Sequence, residues 1–166
     1  RVERTGFEKG LFSEWRDEPD FVLNREEHAG ATILVAGPNF GTGSSREHAV
    51  WAIQQYGFRA VVSPRFGPIF VNNATNCGLV PVVVDAELGE RLLREIEADP
   101  TLELTVDIDR RTLEVPALGI TAEFPLSDSI RHRLLNGLDD IGVTLTHADD
   151  ITGYETSRPA WLPTTA

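Results

Sequence analysis

Ala31 Thr32 Ile33 Leu34 Val35 Ala36 Gly37 Pro38 Asn39 Phe40 Gly41 Thr42 Gly43 Ser44 Ser45 Arg46 Glu47 His48 Ala49 is the stretch that decides the fold. Residues 31–36 are apolar and partly β-branched, so they read as a buried strand, which Gly37 and Pro38 end. Gly41 and Gly43 let the backbone turn sharply. Ser44 and Glu47 stand in the S-x-x-E spacing of a capping box, and Ala49, Trp51, Ala52 and Ile53 supply the apolar face of a helix over 45–56. The free N–H groups of that helix's first turn point toward any bound anion.

Outward from this unit the pattern continues with a strand over 60–63, a helix over 66–76 and a strand over 81–84. Residues 86–98 have helical spacing at Leu88, Leu92, Leu93 and Ile96, with Asp85 as N-cap. Such alternation predicts an α/β fold with a parallel sheet and right-handed crossovers. After Pro100 the period becomes alternating: Leu102, Leu104 and Val106, then Leu113 and Val115, then Ile120, Ala122 and Phe124 predict three short antiparallel strands. Segments 127–136 and 138–154 read as helical, the second weakened by Gly142, Val143 and Thr144. One domain over 1–166 is expected. It would comprise an arm or short helices at 1–30, an α/β core at 31–98, a β-rich part at 101–125, a helical part at 127–156 and an irregular tail at 157–166. Trp161 and Leu162 in that tail are costly to expose and are expected to dock on a partner.

The glycine loop matches neither common nucleotide pattern. In G-x-G-x-x-G, begun at Gly41 and Gly43, the third glycine position holds Arg46, whose bulk prevents close helix–sheet packing. A phosphate-cradling P-loop needs Lys followed by Ser or Thr, and the single lysine is Lys9. What remains is a loop with a fixed cation, suited to a carboxylate, whose two oxygens a planar guanidinium grips together.

A length of 166 residues suits one domain of roughly 100 to 200 residues. No apolar run approaches the roughly 20 residues of a spanning helix, and no signal peptide is visible, so the expectation is a soluble cytoplasmic chain without a membrane role. A net charge of −11 argues against nucleic acid, which requires a basic surface. It would also repel a dicarboxylate unless local cations focused the field, and Arg46 is the first candidate for that task. Arg59 and Arg65 read as salt-bridged surface arginines, with assistance to Arg46 as the alternative. Cys77, the one cysteine, cannot hold a [4Fe-4S] cluster and reads as a structural thiol near a helix end. His28, His48, His132 and His147 form no close ligand pair, so no metal site follows from spacing.

The run from Phe40 to Ala49 resembles the signature of the mobile C-terminal domain of the aconitase superfamily. A second block agrees in order and spacing: Gly57 Phe58 Arg59 Ala60 Val61 Val62, Arg65 Phe66, Ile69 Phe70, Asn72 Asn73, and Gly78 Leu79 Val80 Pro81. Further out, Arg4 Thr5 Gly6 Phe7 Glu8, Gly10 Leu11 Phe12, and Gly137 Leu138 Asp139 Asp140 Ile141 resemble the small-subunit branch found in bacterial 3-isopropylmalate dehydratases. The resemblance implies a three-layer β/β/α swivelling domain with a mostly parallel central sheet and a C-terminal antiparallel or barrel-like portion. It also implies dehydration and rehydration of 2- and 3-isopropylmalate in leucine biosynthesis, in complex with a large subunit that carries the [4Fe-4S] cluster; this chain would bind no cofactor itself. By position, Ser44 would be the catalytic base, acting as an alkoxide, while Ser45, Arg46 and Gly43 would hold substrate carboxylate. Glu47 and His48 would be supporting residues.

Taken singly, the same residues have structural readings. Ser44 alone would be an N-cap contributing about 1 kcal/mol. Arg46 alone would be a surface charge, although a cation in a first helical turn opposes the dipole. Glu47 is read as the capping-box partner and counter-ion, His48 as a structural histidine, and Asn39, Asn72 and Asn73 as loop and cap residues. The sequence departs from the branch in lacking its usual opening strand and Asp-rich segment, so it is expected to start beyond the selectivity loop as a fragment or processed form. Pro68 also stands where relatives often carry an acid. Homoaconitate and methylmalate hydro-lyase small subunits remain alternatives, as does a non-catalytic dicarboxylate-binding regulatory domain.

Overall fold

The predicted strands at 31–36, 60–63 and 81–84 are β1 (Ile33–Val35), β2 (Ala60–Ser63) and β3 (Val80–Val83). They are seen in a computed structural model that describes residues 5–43, 46–159 and 161–162. All three run parallel in the order β1-β2-β3, with Leu34 opposite Val61 and Val61 opposite Pro81. Pro81 donates no ladder hydrogen bond, and it lies on an edge strand, where that loss is tolerated. Central β2 is buried along its whole length, as expected of a strand covered on both faces.

Alternation along β2 divides the apolar residues between two cores. Val61 faces α2 (Glu47–Tyr56) and α3 (Pro68–Cys77), joining Val50, Ile53, Phe58, Phe70 and Leu79. Ala60 and Val62 face the opposite way, with Val80, Val82 and Leu92. That second core is closed by β4 (Thr105–Asp107), β5 (Thr112–Val115) and β6 (Ile120–Glu123), an antiparallel sheet in the order β4-β5-β6 that contributes Leu113 and Val115. The layers are therefore helices, parallel sheet and antiparallel sheet, as the resemblance implied.

Local signals account for some elements and packing for others. Helix α4 (Ala86–Ala98) has the predicted bounds, and Asp85 Oδ1 accepts from the Leu88 N–H at 2.7 Å. Helix α3 contains Asn72, Asn73, Thr75 and Asn76, all weak helix formers, so Asn72 and Asn73 are helical residues and not loop or cap residues. Full burial of Phe70, worth about 1.5–3 kcal/mol, helps hold this helix in place.

Segment 1–30 condenses, over its described part, into two single turns at Phe7–Gly10 and Ser13–Arg16 (α1) and two more at Val22–Asn24 and Glu26–His28. Long-range bonds fasten it to α2: the Phe7 N–H donates to Gln55 Oε1 at 2.9 Å, and the Tyr56 hydroxyl donates to Leu23 O at 3.3 Å. Beyond the sheets, α5 (Asp128–Asn136) is capped by Ser127. The helix read over 138–154 is two, α6 (Asp140–Leu145) and α7 (Ala148–Ser157). The hydroxyls of Thr144 and Thr146 donate to Asp140 O and Val143 O, and His147 leaves helical geometry at φ −107°, so the continuous helix is interrupted there. Among the described residues no helix is long and apolar enough to cross a membrane.

Candidate functional site

The loop over 37–46 leaves the carboxyl end of β1, on the side of a parallel sheet where ligands bind in open α/β folds. Sheet-like pairing continues past the strands to hold it. The Phe40 N–H donates to Arg65 O at 3.0 Å and the Gly67 N–H donates to Phe40 O at 2.8 Å, forming a parallel bridge between Phe40 and Phe66. Fully buried Ser63 adds a polar tie: its hydroxyl lies 2.8 Å from Gly37 O and 3.0 Å from Arg65 O, and accepts from the Arg65 N–H at 3.3 Å.

Two glycines set how closely the loop lies on α3. Gly41 has φ +73°, and a Cβ there would overlap the Phe70 side chain. At Gly67 a Cβ would sit 2.7 Å from Gly41 O, so the two backbones meet where only hydrogens fit. Phe40 completes the contact, 5.3 Å from the Phe70 ring and edge-on to it. The turn itself is closed by Thr42, whose N–H and hydroxyl donate to Asn39 O at 3.4 and 2.9 Å.

Gly43 and Arg46 are exposed at the end of this loop, and Ser44 and Ser45 lie outside the described residues. Arg46 is the N-cap of α2, with extended backbone at φ −93° and ψ 138°. The capping-box reading of Glu47 therefore fails: Glu47 is the first helical residue, not the third, and its carboxylate accepts from the Cys77 thiol at 3.4 Å. Glu47 thus links the start of α2 to the end of α3, and Cys77 is a half-buried thiol in that link. His48 is half-buried between Phe7 and Trp51, its ring 5.0 and 4.9 Å from theirs, as the structural reading expected.

The structure separates the two other arginines read from the sequence. Arg59 precedes β2 and Arg65 follows it, so only Arg65 stands at the loop's end of the sheet. Among the described residues neither is in an ion pair, contrary to the salt-bridged reading; Arg65 instead donates from Nε to Asn39 Oδ1. Asn39 holds a positive φ of 67°, a conformation asparagine tolerates better than most residues. An Asn before a Phe-Gly turn was the available sequence signal for this partner.

Chemically, the arrangement is a rim. A guanidinium and a helix N-terminus carrying about half a positive elementary charge adjoin an exposed glycine turn, which favours an anion. A hollow of about 780 Å³ lies elsewhere, beside Arg110, Arg111 and Arg131, whose guanidiniums pair with Glu114, Asp128 and Asp109.

Known proteins resemble this chain over nearly all of it. The aconitase C-terminal domain family matches residues 3–87, and the C-terminal domain family of the 3-isopropylmalate dehydratase small subunit matches residues 140–166. The 3-isopropylmalate dehydratase small subunit of a Parafrankia species is 63% identical over 166 residues, covering 100% of this chain and 84% of that relative. Its counterpart in Streptomyces coelicolor is 56% identical over 165 residues, covering 99% of this chain and 83% of that relative. The crystal structure of 3-isopropylmalate dehydratase from Methanocaldococcus jannaschii superposes with a TM-score of 0.54 at 30% identity, covering 74% of this chain and 68% of that one. The chain belongs to the family of 3-isopropylmalate dehydratase small subunits, within the aconitase superfamily.

Proposed function

We propose that this chain supplies the substrate-closing half of an isopropylmalate hydro-lyase and turns over only with a large subunit that carries the [4Fe-4S] cluster. One observation carries the reading: Arg46 is exposed at the cap of α2 beside the exposed Gly43 turn, in a chain of this family. A cation there costs about 0.3–1 kcal/mol against the helix dipole, so the position suits a protein that receives an anion at it. The chain's own thiols do not fit a resident cluster, because Cys77 is the single cysteine and is bonded to Glu47. The cluster, and departure of the hydroxyl, are assigned to the partner.

On this chain, Arg46 grips a substrate carboxylate through its planar fork, with Ser45 and the Gly43 backbone beside it. That fixes the substrate so that its carbon-bound proton lies near Ser44. The Ser44 oxygen, as an alkoxide, takes that proton when the hydroxyl leaves and gives a proton back at rehydration on the neighbouring carbon. A serine hydroxyl is a weak base in water, and the N-terminus of α2 with its free N–H donors favours the anion. Glu47 and His48 support the site by fixing the start of α2, Glu47 through Cys77 and His48 through Phe7 and Trp51.

The test is reconstitution with a large subunit loaded with its cluster, assayed against a panel of 2-hydroxy dicarboxylates. Turnover of 2- and 3-isopropylmalate only when both subunits are present is expected. Turnover by this chain alone, or preference for homoaconitate or a methylmalate, refutes the reading. Arg46→Lys is expected to raise KM and lower kcat, by about tenfold or more in kcat/KM for loss of a charged bidentate contact. Unchanged kinetics would remove Arg46 from the site.

A further inference from the structure

We propose that Arg65, oriented by Asn39, is a second carboxylate-binding cation of the same site, taking the carboxylate that Arg46 does not. This rests on the reading of the 37–46 loop as half of a dicarboxylate site. A substrate with two carboxylates needs charge at two places, and the chain as a whole repels it with a net charge of −11.

Arg65 is placed for that role by the sheet. It follows β2 by two residues, and its carbonyl accepts from the Phe40 N–H at 3.0 Å, so its backbone runs beside the anion loop. Arg59, six residues earlier at the other end of β2, is roughly 20 Å away at about 3.3 Å per residue and cannot serve.

The Arg65 side chain is exposed, yet it is held at one point. Its Nε–H goes to Asn39 Oδ1, while its two terminal nitrogens carry no hydrogen bond or ion pair among the described residues. With Nε occupied, the outer edge of the guanidinium presents two parallel N–H groups, the geometry that accepts both oxygens of a carboxylate. Arg110, Arg111, Arg131 and Arg133, by contrast, each pair with an aspartate or glutamate.

Asn39 supplies the second observation. Its positive φ of 67° is unusual for a non-glycine residue, and Thr42 locks it by donating twice to its carbonyl. Residues held in such conformations collect at ligand sites, where surrounding bonds over-determine them. Here the result is an amide oxygen, neutral and therefore leaving the guanidinium's charge intact, aimed at Arg65 Nε. A carboxylate in the same place would orient the arginine equally well but cancel its charge. Asn39 is thus a positioning residue.

That difference gives the test, in the reconstituted two-subunit enzyme. Arg65→Gln is expected to raise KM for isopropylmalate by about 10- to 100-fold, with the melting temperature unchanged. Arg65→Lys, which keeps charge but loses the fork, should raise it less. Asn39→Asp keeps the acceptor and pairs with Arg65, so stability should hold or improve while KM rises by about tenfold. A purely structural Asn39–Arg65 contact predicts the opposite, a normal KM in Asn39→Asp. Normal KM in both Arg65→Gln and Asn39→Asp, alongside a raised KM in Arg46→Lys, overturns the inference and leaves the functional reading standing. Should Arg65→Gln fail to fold, Asn39→Asp decides alone. Absence of turnover in the wild-type pair overturns both.

Discussion

Replacing Ser44 by alanine is expected to leave the complex of the two chains assembled and to reduce kcat by about 10²- to 10⁴-fold, the range that a positioned proton acceptor contributes. The alternative role, an N-cap, predicts a loss of about 1 kcal/mol in stability with nearly normal turnover. The fold makes the two outcomes easy to separate. Helix α2 begins at Glu47 and its cap position is Arg46, two residues after Ser44. Stability lost in Ser44→Ala should therefore fall below that of a capping deletion, as read by urea unfolding of the isolated chain. Partner titration then distinguishes failed assembly from failed proton transfer. A variant that assembles and turns over normally would remove Ser44 from the mechanism.

Gly41→Ala is expected to be the most damaging single substitution in the loop backbone. Two costs coincide at that position. An alanine held at φ +73° pays about 1–2 kcal/mol in backbone strain, and pressing its Cβ into the Phe70 side chain adds about 1–3 kcal/mol of overpacking. The expected total is about 2–5 kcal/mol, and the loop can escape part of it only by lifting off α3. Lifting would break the Gly67 N–H to Phe40 O bond and shift the loop that carries Arg46, so activity should fall with stability. Unfolding by denaturant checks this; a Gly41→Ala chain as stable as the parent would show that the close contact is unnecessary.

Much of the fold was legible in the chain. The β-branched run at 60–63 became β2 with those bounds, and Asp85 caps α4 as its spacing required. Periods of two and 3.6, and caps three residues from their partners, are properties of neighbouring residues. Helix α3 was legible as an element but not as a stable one, since its asparagines disfavour a helix and the buried Phe70 offsets them. The break between α6 and α7 was signalled only weakly, by Gly142 and the β-branched residues around it.

The candidate site divides along the same line. The order strand, glycine turn, helix start, with Arg46 beside it, could be read directly, as could membership of the aconitase superfamily, because both are written in contiguous residues. Glu47 was misassigned, because S-x-x-E spacing describes a helix starting at Ser45, whereas the loop's attachment to α3 starts α2 at Glu47 and leaves its carboxylate to Cys77. Nor could spacing tell Arg59 from Arg65, two arginines flanking one strand. Only the parallel register of β1 on β2 puts one beside the anion loop and the other at the far end of the sheet. The sequence by itself determined which local elements form and which family they belong to, since short-range periodicity and capping suffice for that. Tertiary structure decided which polar side chains meet, because partners 26 residues apart, such as Asn39 and Arg65, are joined by sheet register and glycine contacts that no local pattern records.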